Sequence, residues 1–567
     1  MLIGIDLGTT NSAVAVWDEA GARLIPNALG ELLTPSAVSI ADDGTVLVGA
    51  AARDREVTHP QQTATSFKRL MGTDRAIKLG KQSYRPEELS ALVLRALRSD
   101  VERSLGTAVA GAVITVPAYF NDRQRRATRK AADLAGLPVA RLINEPTAAA
   151  LAHGIHDLEN EQPFLVFDLG GGTFDVSIVE IFDGIIEVRA SAGDNRLGGD
   201  DFNDLLIRHA LAGLAETSAR QEEPGLREAI RAAAERCRRQ LTVEDEAPLR
   251  FVWDGTEHVE TITAAWFEAA AEPLLARLRD PVLRSLRDSG IRSDTLREVV
   301  LVGGATRMPI VRRTVTRMFG RFPNTSIDPD HAVALGAAVQ TGLIARDRNL
   351  SEVRLTDVCP FSLGVATAER DPTGRLRNGL FTPIIERNTV IPVSRMETLW
   401  TVADGQRVIE VEVYQGEARH VDANIALGKL KVDVPPKPAG EVSVDVRFSY
   451  DTSGLLEVDV EVPETGARRQ LVIHDDGDNT GSADDLEARR QALASLKVHP
   501  RDQAFNQATM ARAMRCYESY LGDQRTAVGI AIGRFEDELA RQDLRQIEAV
   551  RQQLEALLDQ LEGERFL

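Results

Sequence analysis

The chain has 567 residues, 43% of them hydrophobic, and a formal net charge of −18. That length is too great for one hydrophobic core and predicts about three or four domains. No apolar run reaches the roughly 20 residues of a membrane span, and so acidic a balance argues against a nucleic-acid partner, whose phosphates call for basic surfaces. Met1 leads directly into a predicted strand without a charged n-region or apolar h-region, so no secretory leader is expected. Cys237, Cys359 and Cys516 stand far apart without a CxxC pair, as expected of thiols in the cytoplasm and not of a disulfide frame or zinc site.

In chain order, Ile3 to Val14 (IGIDLGTTNSAV) reads as strand, tight turn, strand, with Asp6, Gly8, Thr9, Thr10 and Asn11 at the turn. Lys68 follows at the centre of SFKRLMG, where by itself it reads as an ordinary surface lysine on a helix. Leucines and valines at helical spacing predict an amphipathic helix over Pro86 to Leu105, which is core and not chemistry. Ala112 to Pro117 is a buried strand stopped by proline, and Asn121 or Asp122 caps the basic helix from Arg123. In INEPTAAALAHG, Glu145 and Pro146 open a helix whose alanines, Ala148 to Ala150, allow close packing. Glu145 either complements that helix dipole or reaches a metal shell or a water.

Leu165 to Ile178 (LVFDLGGGTFDVSI) then repeats the first pattern, with Gly170, Gly171 and Gly172 between Asp168 and Asp175. Glycines without Cβ let backbone N–H groups converge on an anion, and Thr173 adds a hydroxyl. Two aspartates beside a phosphate require a hard cation such as Mg2+. Three glycines between strands can also be a mere flexible turn. The repetition favours a duplicated fold in which each half offers one phosphate-gripping hairpin to a shared cleft. Ala192 to Phe202 (AGDNRLGGDDF) adds Gly198 and Gly199, and the helix Glu228 to Leu241 carries Glu235, Arg238 and Arg239 on neighbouring turns, by itself a solvated face. Val299 to Pro309 (VVLVGGATRMP) is a strand ending in Gly303 and Gly304, and Asp328 to Gly342 is a second small-residue helix in the style of Thr147 to Gly154. From Val358 the texture changes to alternating strands, Val408 to Gly416, Val442 to Asp451 and Leu455 to Val462, which predict an antiparallel β-sandwich. Apolar periodicity within Asp484 to Leu561, such as Leu544, Ile547, Val550, Leu554 and Leu558, predicts a short helical lid.

The paired hairpins, the two small-residue helices and VGGATRMP resemble the motifs of the actin, sugar-kinase and heat-shock ATPase superfamily. Within it, IGIDLGTTNS, VPAYFND, INEPTAAALA, FDLGGGTFDVS and AGDNRLGGDDF are similar to the 70-kDa heat-shock chaperones, closest to the shorter HscC-type branch because so little chain separates Lys68 from Pro86. The resemblance covers nearly the whole chain. It implies an α/β actin-like duplicated ATPase domain of two RNase H-like lobes (about 1–162 and 163–350), a linker at 351–357, a peptide-binding β-sandwich at 358–472 and an α-helical lid at 473–567.

The same resemblance implies ATP or ADP with Mg2+ as cofactors. Asp6, Asp168, Asp175 and Glu145 would surround the metal, largely through its waters. Gly8, Thr9, Thr10, Asn11, Gly170, Gly171, Gly172, Thr173, Gly198 and Gly199 would cradle the phosphates. Lys68 would orient the attacking water, with Glu145, Asp168, Asp175 and Thr173 in the same catalytic group. Glu235, Arg238, Arg239, Gly303, Gly304, Arg307 and Asp330 would grip adenosine. Pro117 and Arg125 match the family's relay between domains, and Arg141, Asn144 and Asp357 match positions that receive J-domain cochaperones. In the linker Val353 and Leu355 remain, while Arg354 and Thr356 interrupt a run that is elsewhere leucine. Val365, Leu399, Ile409, Val411 and Val444 match the client pocket, and Ala368 with Val402 the arch above it, its bulk on the opposite side from the usual methionine. The implied activity is ATP-driven binding and release of extended, unfolded polypeptides, with a J-domain protein and a nucleotide exchange factor as further partners and no membrane. A small-molecule kinase and an actin-like filament ATPase are the competing readings; neither gives the sandwich and lid a role.

Overall fold

Each glycine hairpin lies at the centre of its own sheet in the computed structural model, which describes residues 1–155, 161–182, 184–214, 224–253, 255–350, 353–370, 375–452, 454–473, 497 and 500–563. In the first lobe β1 (Leu2–Asp6) and β2 (Asn11–Asp18) form the hairpin and β3 (Gly21–Leu24) extends it. Helix α1 (Pro86–Leu105) then precedes β4 (Gly111–Val116), α2 (Asp122–Leu134), β5 (Val139–Asn144) and α3 (Glu145–Gly154). The sheet runs β5-β4-β1-β2-β3, with β4 parallel to β1.

The second lobe repeats this order. Its hairpin is β6 (Phe164–Leu169) and β7 (Phe174–Phe182), extended by β8 (Ile185–Asp194). After α4 (Gly199–Gly213) and α5 (Pro224–Gln240) comes β9 (Val299–Val302), parallel to β6 as β4 is to β1, and then α6 (Pro309–Phe319) and α7 (Ala332–Ile344). The two sheets share the order β4-β1-β2-β3 and β9-β6-β7-β8, while β5 has no counterpart strand in the second sheet among the described residues. Helices α3 and α7 lie against each other between the sheets, where Ala148 to Leu151 share a buried cluster with Ala332 and Ala337. A Cβ on Gly336 would sit 1.7 Å from the Ala148 carbonyl oxygen, so only glycine allows this crossing.

One local expectation is narrowed and two are corrected. Asn121 is the cap of α2, exchanging hydrogen bonds with Gln124 in a capping box, and Asp122 is the first helical residue. Helix α7 begins at Ala332 and not at Asp328, because the Asp328 side chain accepts the Asp330 N–H and folds that segment into a turn. Lys68 stands in a single tight helical turn, Phe67–Leu70, and is buried, not on a helix surface.

The chain leaves α7 as strand β10 (Arg354–Val358), which pairs in parallel with β8 and enlarges the second lobe's sheet. Val353 and Leu355 join the cluster between the lobes. The sandwich follows: β11 (Leu363–Arg370), β12 (Leu376–Ile385), a short β13 (Val390–Ile391) on β10, β14 (Val393–Trp400), β15 (Val408–Gln415), β16 (Ile425–Asp433), β17 (Ser443–Tyr450), β18 (Leu456–Val462) and β19 (Ala467–Ile473). Its two sheets run β12-β11-β15-β16 and β14-β17-β18-β19, and alternate residues such as Val444, Val446 and Phe448 fill the space between them. Helices α8 (Ala504–Ser519), α9 (Gly522–Arg541) and α10 (Leu544–Gly563) bury Phe535, Leu539, Ile547, Leu554 and Leu558 together. The start of the helical region expected from Asp484 lies outside the described residues.

Candidate active site

The two hairpin tips meet across a cleft of about 370 Å³, within the range of small-molecule sites. A Cβ on Gly171 would lie 1.9 Å from Thr10 Oγ1, and one on Gly172 would lie 2.9 Å from Thr9 Cγ2. Glycine is thus required for the two turns to approach each other. Asp6, Gly8, Thr9, Thr10, Asn11, Lys68, Glu145, Asp168, Gly170, Gly171, Thr173, Gly199, Glu235, Arg238, Arg239, Gly303, Gly304, Arg307 and Asp330 all line this cleft. Gly172, Gly198 and Asp175 stand behind its wall. A Cβ on Gly198 would meet the Gly172 nitrogen at 2.5 Å, so that glycine serves loop packing.

At the floor, Lys68 Nζ donates to Glu145 Oε1 at 2.6 Å, and both side chains are nearly sealed from solvent. Three aspartates surround this pair. Burial, then Glu145, pushes the Asp6 carboxyl up to about 7 and that of Asp175 up to about 8. Burial and the neighbouring carboxylates raise Asp168 well above its usual range as well. Asp6 accepts from Thr115 Oγ1 and Asp175 from the Tyr119 N–H, but Asp168 Oδ2 is buried without a hydrogen-bond partner among the described residues. An acidic cluster with one lysine and an orphaned carboxylate oxygen is short of positive charge. The described residues contain no group of three or more His, Cys, Asp or Glu side chains close enough to chelate a metal directly.

On the opposite wall Glu235 pairs with Arg239 at 2.5 Å and Arg238 donates to Asn203. Burial draws the Glu235 carboxyl upward, but Arg239, Arg53 and Arg238 together hold it below its ordinary value. Arg307 is fixed between Asp328 and Asp330. Several participants had no sequence signal of their own. Arg53 donates to the Thr10 carbonyl and the Asn11 side chain. Across the mouth, Arg69 bonds Asp201 at 2.8 Å, Ser66 bonds Asp200, and Arg231 bonds Glu56 and Thr65, tying lobe to lobe. Adjacency of Arg69 to Lys68 is the one clue the sequence held.

Behind the cleft, three of the residues expected to link the domains, Arg125, Asn144 and Asp357, come together. Arg125 donates to Asn144 Oδ1 at 2.6 Å, and Asn144 Nδ2 donates to Asp357 Oδ2 at 3.0 Å. Thr147 donates to the same oxygen. Burial raises the Asp357 carboxyl, against the opposing pull of Arg141 and Arg125. Pro117 is buried nearby in sequence and Leu355 is half-buried against the inter-lobe cluster. The sandwich is fastened on this side by contacts the sequence did not announce: Asp122 N–H to Gln415, Arg387 to Asp288, Asn388 to Ser191 and Asp288, and Tyr119 against the Phe361 ring.

In the sandwich, Val365, Val411 and Val444 are fully buried in one cluster, with Leu399 and Ile409 half-buried at its margin. Ala368 falls at an irregularity in the β11–β12 ladder, and Val402 is half-buried. Trp400, a residue without a motif of its own in the sequence, ends β14 with 56% of its surface exposed.

A two-lobed cleft of this kind, lined by glycine turns and carboxylates and joined by a strand to a sandwich and helices, has the make-up of a nucleotide-binding domain followed by a second domain. The Hsp70 protein family model matches residues 2–78 and 74–566, and the chain belongs to that family. It is 42% identical over 489 residues to the chaperone protein DnaK of Thermotoga neapolitana, covering 83% of this chain and 80% of that protein, and equally to its counterpart in Thermotoga maritima. The chain is an ATP-dependent chaperone that binds ATP and ADP, hydrolyses ATP and acts on unfolded client proteins. No helix among the described residues is long and apolar enough to cross a membrane.

Proposed function

We propose that hydrolysis in the cleft is coupled to the peptide site through the adjacent residues Asn144 and Glu145, at the junction of β5 and α3. The observation that carries this reading is their division of labour. Glu145 holds Lys68 on the cleft side, while Asn144 holds Asp357 of the linker strand. A shift of the α3 start would therefore be felt at both ends.

The cleft residues take the following parts. Asp6, Asp168 and Glu145, backed by Asp175, would hold Mg2+ largely through its waters, which suits the orphaned Asp168 oxygen and the raised carboxyls. That cation, when bound, neutralises phosphate charge. Thr9, Thr10, Thr173 and the backbone of Gly170 and Gly171 orient the phosphates, and Lys68 stabilises charge on the terminal phosphate. Glu235, Arg238, Arg239 and Arg307 hold adenosine on an actin-like duplicated fold. Extended hydrophobic client segments occupy the sandwich at Leu399 and Ile409 over Val365, Val411 and Val444, beneath Ala368 and Val402, and pair their main chain with the site. A J-domain protein acts at Arg141, Asn144 and Asp357, an exchange factor resets the nucleotide, and the cytoplasm is the setting.

Single-turnover ATP hydrolysis by the full chain, with and without a hydrophobic heptapeptide and a J-domain, tests the coupling. Acceleration by either is expected. A low rate that neither changes, with ATP still tightly bound, would mean that the cleft and the sandwich work independently.

A further inference from the structure

The turn between α9 and α10 touches two other parts of the molecule at once. Gln542 occupies the left-handed region at φ 58°, where glycine is the favoured residue, yet its side chain is nearly buried. Its amide explains why a side chain is kept there. Gln542 Oε1 accepts the Met396 N–H at 3.3 Å and Nε2 donates to the Met396 carbonyl at 3.0 Å. Met396 lies on β14, an edge strand of the sandwich, so the amide satisfies that edge as a neighbouring strand would. Arg395 Nη1 adds a bond to the Arg541 carbonyl at the end of α9. Three residues beyond Gln542, Arg545 reaches the other way and pairs with Glu187 of β8 in the second lobe.

Glu187 is no arbitrary anchor. It stands opposite Thr356 in the parallel register between β8 and the linker strand β10. The Arg545 contact is thus made on the strand that receives the linker, at the linker's own level. The turn, β14 and the β8 edge together wall a cleft of about 1580 Å³. We propose that the α9–α10 turn is a clasp that fastens the sandwich to the second lobe beside the docked linker. To undock, the sandwich has to break either the Gln542 contact or the Arg545–Glu187 pair. The helical domain therefore stabilises linker docking directly, besides any covering of the peptide site. The clasp rests on the coupling proposed above only for its connection to nucleotide.

Hydrogen exchange of the Arg354–Val358 backbone in the full chain, with ATP or ADP, tests it. Arg545→Glu is expected to raise linker exchange in ATP by about fivefold, the upper end of what a half-exposed ion pair supplies. The charge-reversed double variant Arg545→Glu/Glu187→Arg is expected to restore protection. Gln542→Gly, which suits the left-handed backbone and keeps the turn, is expected to raise linker exchange as Arg545→Glu does. Unchanged exchange in Arg545→Glu, with the nucleotide response intact, overturns the clasp and leaves the coupling standing. A double variant that stays unprotected while Arg545→Glu is deprotected also overturns it. Linker exchange that ignores nucleotide but rises in Arg545→Glu upholds the clasp and removes the coupling.

Discussion

Lys68 shows how context decides the meaning of a residue. Alone in the sequence it is an unremarkable lysine; between two glycine hairpins it is a candidate for the terminal phosphate, and the fold buries it to 4% exposure against Glu145. An ammonium kept from water at that place is expected to matter most where charge develops during the reaction. Lys68→Ala should therefore lower single-turnover hydrolysis by about 100-fold or more while changing ATP affinity only a few-fold. Affinity measured by equilibrium titration decides between roles: a comparable loss of binding would make Lys68 an anchor for nucleotide. The hairpin residues were legible because glycine and aspartate at fixed spacing have few other uses. Arg69, Arg231 and Arg53 were not, because their partners Asp201, Glu56 and Asn11 lie far off in the sequence and only folding brings them together.

At the scale of elements, periodicity located most strands and helices, and the bounds of α1 coincide with those read from the sequence. It failed where a side chain competes with the helix ladder, as Asp328 does before α7. The sandwich strands were legible by alternation, but alternation gives only which face is inward. It does not say that Val365, Val411 and Val444 form a sealed floor while Leu399 and Ile409 remain half-exposed at the margin. That difference directs the choice of variant. Ile409 of β15 sits opposite Val432 of β16, at the edge of the core and next to the exposed Val408. Ile409→Phe adds bulk where there is room at the margin, so the sandwich should stay folded. Affinity for a hydrophobic peptide, read by fluorescence anisotropy, should fall by about tenfold with basal ATPase unchanged. Undiminished peptide affinity would place the client site elsewhere in the sandwich.

The whole molecule depends on one short strand. β10 belongs to the second lobe's sheet by backbone pairing, to the sandwich through β13, and to the base of the nucleotide cleft through Asp357. Arg354 and Thr356 interrupt its apolar run, yet a strand pairs through its backbone, and Leu355 and Val358 still face the inter-lobe cluster beside Val353. Docking therefore does not require a leucine at every position. Asp357 then has two separable functions. Its Oδ2 accepts bonds from Asn144 and Thr147, which an asparagine oxygen can also accept, with only the local Val358 N–H bond to Oδ1 given up, whereas its charge faces Arg141 and Arg125. Asp357→Asn keeps the first and removes the second. Linker protection in ATP should stay within about twofold of the unmodified chain, as expected where a hydrogen bond survives isosteric replacement. Stimulation by a J-domain should fall by about tenfold, the scale of one charge-dependent contact. If linker protection collapses instead, the charge of Asp357 is part of docking itself, and the J-domain result follows from an undocked linker.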